Sequence, residues 1–301
     1  MEQSLLKKSD SQMIKGIAIL AVIISHMSYI IDIPSKIEIL IHPLGYLGVS
    51  LFLGVSGYGC VMSAKKYEGT KIKFLVHRIK KVICLLIVVT LVSIFIAHML
   101  YGYSYNYTTI FFNAIGISND IAKFTWYIVC QYFWYILFTI LWINWTGAYW
   151  IGALIVYAIS FLINCPEMQF NMWGLNCFSF PLGVWLACNE KQITKFIKLK
   201  KIKVVLGVFA SWLTLFIICY LILGNPTDLK IQNLLKSLIS ALFITLVVCI
   251  CYLYRRKLEK TIAGGVIRFV GNISYELYLV HGFWVFLFYN FFEPRELWKI
   301  I

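Results

Sequence analysis

Two ionisable side chains share one face of the first apolar segment of the chain. Lys15 and His26 stand in the run MIKGIAILAVIISH, which is otherwise almost wholly apolar. Eleven steps of 100° return a helix to within about 20° of its starting direction, so both side chains lie on one stripe, about 16 Å apart along the axis. This stripe, with Ile19 and Val22 in its middle, predicts a passage that has a cation at its mouth and a proton-accepting imidazole at its far end. The alternative is that Lys15 anchors the helix at the membrane surface and His26 only hydrogen-bonds a neighbouring helix.

A second group of cations lies in the segment KKYEGTKIKFLVHRIKK, residues 65–81. Arg78 and Lys81 stand three residues apart, so a helix places them on the same side. Such a pair suits phosphate groups, because the arginine offers a planar fork of donors and the lysine a point charge. The alternative is a basic cytoplasmic segment that contacts anionic lipid.

The segment GVSLFLGVSGYG, residues 48–59, combines glycines with Ser56 in an apolar run. It differs from the G-x-S-x-G turn of a nucleophilic serine, because Tyr58 stands where the second glycine belongs. Glycine and serine in a spanning helix let neighbouring backbones approach closely. We therefore expect Ser56 to pack or to hydrogen-bond rather than to act as a nucleophile.

The segment GNISYELYLVHGFWVF, residues 271–286, places three polar side chains on one helical face. Ser274, Tyr278 and His281 stand at positions i, i+4 and i+7. Glu276 points about 140° away from His281 and is the only acid that we predict inside the membrane. Three side chains are candidate partners for it: Arg268, Lys15 and His26.

The elements that position these residues are predicted to be membrane-spanning helices. Of the 301 residues, 61% are hydrophobic and only 13% are charged, whereas a soluble domain carries about a quarter charged residues. Apolar stretches of about 17–24 residues recur, long enough to cross a bilayer as helices. We predict an all-α polytopic membrane protein, one integral-membrane domain over residues 1–301. It has about nine transmembrane helices, near 14–31, 39–62, 82–101, 124–145, 148–164, 172–188, 203–223, 233–254 and 271–292.

The charge distribution predicts the orientation of these helices. The segments 1–15, 63–81, 189–203 and 255–268 fall on one side of the predicted topology and hold 21 of the 27 lysines and arginines. Cytoplasmic loops carry such an excess of basic residues, so the N-terminus is predicted to be cytoplasmic. The net charge of +14 is therefore explained by topology, and nucleic-acid binding is excluded. The cysteines form no C-x-x-C pair, and we expect packing roles for them and no metal site.

Taken together and in this order, these segments resemble the acyltransferase 3 family of integral-membrane acyltransferases. These proteins O-acetylate surface polysaccharides, lipopolysaccharide, peptidoglycan or related glycans. The family's first helix carries a basic residue, ten intervening residues and a histidine, and Lys15 and His26 match that spacing. Three further motifs of the family are matched in part or in full, at residues 48–59, 74–81 and 274–281.

The chain departs from the family's pattern at several places. Ser50 stands where many members carry an acid, and Gln131 stands where many carry the glutamate of a W-S-L-x-x-E stretch. In the basic motif F-x-x-R-R-x-x-R, His77 and Lys81 replace arginines and only Arg78 matches. Members usually continue to a tenth helix, whereas the final stretch EPRELWKII is too short to span. A shortened, catalytically impaired member is therefore one reading of the chain.

The resemblance implies that an acyl group, most often acetyl, moves from cytoplasmic acetyl-CoA to a hydroxyl of a cell-surface polysaccharide or lipid-linked glycan. His26 is then the general base or a transient acyl carrier. The protein is expected to lie in the plasma membrane of a bacterial cell. Lys15, Arg78 and Lys81 are expected to bind the donor phosphates. The residues expected along the substrate path are Ser56, Gln131, Ser274, Glu276, Tyr278 and His281. The implied partners are membrane lipid, the glycan acceptor and glycan-assembly proteins, with no metal.

A transporter or flippase is the competing function. Intramembrane ionisable groups often form proton relays, and His26, Glu276 and His281 are candidates for one. The sequence lacks the paired, interrupted helices that are typical of inverted-repeat transporters.

Overall fold

The computed structural model describes residues 4–28, 34–118, 120–121, 124–163, 169–224 and 228–292, with side chains up to residue 285. Within these ranges the protein is all-helical, as predicted. The helices are α1 Lys8–Met27, α2 Ser35–Ile41, α3 Leu44–Ala64, α4 Lys71–Tyr101, α5 Tyr107–Ala114, α6 Trp126–Leu141, α7 Ala148–Leu162, α8 Phe170–Gly174, α9 Ser179–Cys188, α10 Glu190–Lys200, α11 Ile202–Ile217 followed by a π-helical turn Ile218–Ile222, α12 Leu229–Lys260, α13 Ile262–Asn272 and α14 Ser274–Phe292. The tail EPRELWKII and the predicted span ends at 29–31 and 164 lie outside the described residues.

Five segments of the described chain are long and apolar enough to cross a membrane: Lys8–Met27, Ser35–Ala64, Lys71–Tyr101, Ile202–Ile222 and Leu229–Lys260. The other predicted spans fall on α6, α7, the α8–α9 pair and α14. The span predicted at 172–188 is not one helix, because α8 ends at Gly174 and α9 begins at Ser179. Pro181 explains the interruption, since proline is tolerated in the first turn of a helix but breaks a helix interior.

Hydrogen bonds join the basic segments at one end of the helical bundle. Leu5 donates its backbone N–H to Glu190 Oε1 at 2.5 Å and accepts from Arg255 Nη2 at 2.8 Å. The Nζ of Lys65 donates to the carbonyl oxygen of Ala187 at 3.1 Å. We call this end, which holds the start of α1 and the end of α12, the basic end, and the opposite one the distal end. That the basic end faces the cytoplasm remains a prediction from the charge distribution.

A buried ion pair holds the start of α1 at the basic end. Asp10 Oδ2 accepts the backbone N–H of Lys7 at 2.8 Å, which caps the first turn of α1. The same oxygen accepts from Arg255 Nε at 2.7 Å, and both side chains are almost fully buried. α1 is therefore anchored on α12, and its face is set relative to the rest of the bundle.

Glycines let α3 run in close contact with α1 on one side and α9 on the other. A Cβ added at Gly48 would lie 2.5 Å from a backbone oxygen of α1, and one at Gly57 would lie 2.4 Å from a backbone oxygen of α9. A Cβ at Gly183 of α9 would lie 2.0 Å from the carbonyl oxygen of Gly54. The prediction that the glycines of residues 48–59 permit close backbone approach is thus confirmed.

Candidate active site

His26 lies in the last turn of α1, at the distal end, with its imidazole partly exposed. Ile19 and Val22, which stand between it and Lys15, have no exposed surface. The reason is that Val22 packs against Gly48, where α3 approaches α1 most closely. The stripe expected to line a passage is therefore closed along α1 in this structure.

The imidazole of His26 contacts a second imidazole from α14. Its Nδ1 lies 2.8 Å from Nε2 of His281, and the two rings are nearly parallel, at 5°. The other nitrogen of His281, Nδ1, lies 2.5 Å from the backbone carbonyl oxygen of Tyr278. The sequence placed both histidines in spanning helices, and the structure brings them into direct contact.

These contacts determine where the protons sit on the neutral pair. A carbonyl oxygen only accepts, so Nδ1 of His281 carries a proton and its Nε2 has a lone pair. Nδ1 of His26 then donates to that lone pair, and Nε2 of His26 becomes the unprotonated nitrogen. An oriented imidazole with one basic nitrogen is the arrangement that a general base requires. Within the described ranges no group of three His, Cys, Asp or Glu side chains is placed to hold a metal ion.

Phe124 covers one face of the His26 ring. The two ring centroids are 3.9 Å apart and the planes differ by 13°. Phe124 has a left-handed backbone, with φ of 65°, which is uncommon for a bulky residue. Its carbonyl oxygen accepts a hydrogen bond from the Tyr278 hydroxyl at 2.6 Å, which holds this conformation. Tyr278 thus supports both rings that contact His26, through its carbonyl and its hydroxyl.

The three cations predicted to bind phosphates come together at the basic end. Lys15 of α1 lies within electrostatic range of Arg78 and Lys81 of α4. Arg78 is oriented by α3, since its Nη2 donates to Ser63 Oγ at 2.7 Å and to the carbonyl oxygen of Gly59 at 3.2 Å. The sequence placed these cations on two separate segments, and the structure makes them one positive cluster.

Ser56 and Gln131 meet around a tyrosine hydroxyl in the core. Ser56 Oγ lies 3.0 Å from Tyr135 Oη, and the Gln131 side-chain amide donates to the same Oη at 2.5 Å and to Ser56 Oγ at 3.2 Å. The Tyr135 ring lies 5.9 Å from the guanidinium carbon of Arg78. Ser56 is therefore a hydrogen-bonding residue, as expected, and this polar group adjoins the positive cluster.

The face of α14 predicted to line the substrate path is buried. Ser274, Tyr278 and His281 are each at least nine-tenths buried, whereas Glu276 is exposed. Of the three candidate partners for Glu276, Lys15 lies within electrostatic range of it. Glu276 is therefore associated with the positive cluster.

A file of side chains runs from the positive cluster toward the histidine pair. The Tyr135 ring of α6 is next to Arg78 in space. The phenol of Tyr135 lies within electrostatic range of Tyr127, which is also on α6. The Tyr127 ring lies 5.1 Å from the Tyr278 ring, which lies 5.2 Å from the His281 ring. We call these side chains, Arg78, Tyr135, Tyr127, Tyr278 and His281, the aromatic file.

Comparison with known families identifies one match. The model of the acyltransferase 3 family, described as an acyltransferase domain, matches residues 10–301. The chain belongs to the acyltransferase 3 family. No match to it is found among the curated proteins or among the solved structures.

In this acyltransferase 3 member, the two positions that lack the common acid form hydrogen bonds with other groups. Ser50 Oγ donates to the carbonyl oxygen of Leu47 in its own helix at 2.6 Å. Gln131 bonds the Tyr135 and Ser56 hydroxyls. His281, held by the Tyr278 carbonyl, contacts Nδ1 of His26 here.

The family motifs did not indicate Phe124, Tyr135 or Lys236. Phe124 and Tyr135 are aromatic residues in a chain that is 17% aromatic, so their type carries no signal without the fold. Lys236 is different, because it is a lysine inside the predicted span 233–254 and was therefore detectable from the sequence.

Proposed function

We propose that the protein transfers an acetyl group from cytoplasmic acetyl-CoA to a hydroxyl of a cell-surface polysaccharide or lipid-linked glycan. It would act in the plasma membrane of a bacterial cell, with a cytoplasmic N-terminus and about nine crossings. Family membership supports acyl transfer. The observation that carries the proposal is the hydrogen-bonded chain from the Tyr278 carbonyl through His281 to His26.

The proposed chemistry uses Nε2 of His26 as the base. It accepts the proton of the acceptor hydroxyl as that oxygen attacks the thioester carbonyl carbon. The new C–O bond forms, the C–S bond breaks, and the departing thiolate takes the proton back from the imidazolium to leave as coenzyme A. Nδ1 of His26 keeps its hydrogen bond to His281 throughout, which favours the charged intermediate. A base of this kind contributes roughly 10²–10⁴-fold to the rate.

The positive cluster supplies the donor end of the proposed site. Lys15, Arg78 and Lys81 match the phosphates of coenzyme A in charge, and Arg78 offers the planar fork of donors that phosphates favour. In this proposal the thioester arm approaches His26 along the aromatic file, whose buried side chains must move apart to admit it.

A proton relay for transport is less well supported by the same geometry. Such a relay requires His26, His281 and Glu276 to exchange protons with one another. Only the two histidines are in contact, whereas Glu276 is exposed and lies within range of Lys15.

Deletion and complementation test the proposal in the cell that carries the gene. We expect the surface glycan of the deletion strain to lose its O-acetyl esters, and the wild-type gene to restore them. His26→Ala, present in the membrane at the wild-type level, should restore none. His98→Ala is the matched control, because His98 on α4 is exposed and its Nδ1 also contacts a backbone carbonyl, at 3.1 Å. Full restoration by His26→Ala, or an unchanged ester content in the deletion strain, would refute the proposal.

A further inference from the structure

A lysine is buried near the distal end of α12. Lys236 stands two helical turns after the start of that helix at Leu229 and is only 7% exposed. Its ammonium lies 5.7 Å from the centroid of the Tyr220 ring. Within the described ranges no carboxylate forms an ion pair with it. Among the described residues, the face of an aromatic ring is what offsets the positive charge of Lys236.

Other polar groups surround this ammonium. The Tyr220 hydroxyl donates to the Tyr46 hydroxyl at 3.0 Å, and Tyr46 lies in the first turn of α3, where the helix dipole is positive. His42, in the turn before α3, lies within electrostatic range of both Lys236 and the carboxylate of Glu38. The group thus combines a lysine, an imidazole and two phenols, and Glu38 is the acid that the described part of the chain places near His42.

This polar group adjoins the proposed base. Ser25, the residue before His26, donates its hydroxyl to the carbonyl oxygen of His42 at 2.9 Å. The imidazoles of His42 and His26 lie within electrostatic range of each other. A ligand held by Lys236 and His42 would therefore lie close to His26, where the acceptor hydroxyl must come.

An unpaired cation in a spanning helix is unfavourable, and an apolar side chain of similar length would fold at least as well. Retaining a lysine here is explained most simply by a negatively charged ligand that the described residues do not supply.

We propose that Lys236, His42 and the Tyr46–Tyr220 pair form a binding site for an oxyanion of the acceptor glycan, beside His26. This inference rests on the proposed function and adds the substrate class, which is an anionic acceptor. The oxyanion has two chemical sources: the phosphate that joins a sugar to a lipid carrier, or the carboxylate of an acidic sugar. In either case Lys236 holds the charge while the reacting hydroxyl reaches His26.

Acceptor selectivity tests the inference. The protein is placed in zwitterionic lipid nanodiscs with acetyl-CoA and three acceptors: a neutral alkyl glucoside, an alkyl glucuronide and a polyprenyl phosphate-linked glucose. For Lys236→Met we expect the ratio of kcat/KM for an anionic acceptor to that for the neutral one to fall at least tenfold. Lys236→Arg keeps the charge and should keep the ratio within threefold. The acceptor with the larger fall identifies the source of the oxyanion.

Lys230→Met is the matched control on the same helix. Lys230 is exposed, and its ammonium also lies over a ring, 5.3 Å from the Phe161 centroid, so its loss should not change the ratio. If Lys236→Met lowers kcat/KM equally for neutral and anionic acceptors, Lys236 has a structural role and the inference is overturned. An unchanged ratio overturns it as well.

Direct binding separates this inference from the proposed function. Native mass spectrometry in the absence of acetyl-CoA measures retention of the polyprenyl phosphate-linked glucose and of the alkyl glucuronide. If no acceptor is acetylated, the proposed function fails, but a tenfold loss of anion binding in Lys236→Met would still support the site. If Lys236→Met binds both anions as the wild type does, the site is refuted whatever the transferase assay gives.

Discussion

The contact between the two imidazoles predicts how the rate responds when His281 is replaced. His281→Leu removes Nε2, the acceptor that Nδ1 of His26 has at 2.8 Å. Loss of the acceptor for this partly buried donor costs up to roughly 1–3 kcal/mol, the range for buried groups. If that cost is borne in the transition state, kcat falls roughly 5- to 160-fold, at about 1.36 kcal/mol per decade. His281→Gln should lose less, because its amide oxygen can still accept from Nδ1 of His26.

The assay is acetyl transfer by purified protein in nanodiscs, with the de-O-acetylated glycan of the deletion strain as acceptor. We expect kcat to fall while KM for acetyl-CoA stays within about twofold, since the predicted phosphate site is at the opposite end of the bundle. His98→Leu controls for the loss of an imidazole bonded to a carbonyl.

Two results would refute this reasoning. One is a kcat for His281→Leu within twofold of the wild-type value. The other is a fall in kcat no larger in His281→Leu than in His98→Leu. Either would mean that His281 does not orient the base.

Further predictions concern the donor site and the fold. Arg78→Ala should raise KM for acetyl-CoA roughly 13- to 160-fold, since a charge-assisted contact contributes about 1.5–3 kcal/mol. Arg256→Ala, which removes an exposed arginine at the same end, should leave KM unchanged. Arg255→Met should destabilise the protein by roughly 3–5 kcal/mol, because it leaves the buried partner carboxylate unpaired; thermal unfolding measures this, and Arg256→Met should leave the midpoint unchanged. Gly183→Ala should lower the unfolding midpoint, because its Cβ would lie 2.0 Å from a carbonyl oxygen, whereas Gly207→Ala, with nothing within 4 Å, should not. A midpoint equal to that of Gly207→Ala would contradict the close approach of α3 and α9.

The helical class and the faces of single helices could be predicted from the sequence, because both depend on local properties. The length of an apolar run predicts a spanning helix, and steps of 100° predict which side chains share a face. Ser274, Tyr278 and His281 do share one face of α14, and Glu276 lies away from it, as that geometry predicts.

The contacts between helices could not be predicted in this way. His26 and His281 are 255 residues apart in sequence, and their contact depends on how α1 and α14 pack, which the periodicity of either helix does not determine. The left-handed backbone at Phe124, which brings its ring onto His26, could not be predicted because no glycine marks this position in the sequence. The stripe at Ile19 and Val22 is closed because α3 lies close against α1. The glycines of α3 predicted a close neighbouring helix, but they did not show that this helix is α1.

The turnover of His26→Ala tests the central claim most directly, which is that this imidazole is the base for acyl transfer. Purified His26→Ala and wild-type protein are compared at saturating acetyl-CoA with the de-O-acetylated glycan. We expect kcat to fall at least about 100-fold, the lower end for a lost general base, while coenzyme A binds as before. A kcat near the wild-type value would contradict it.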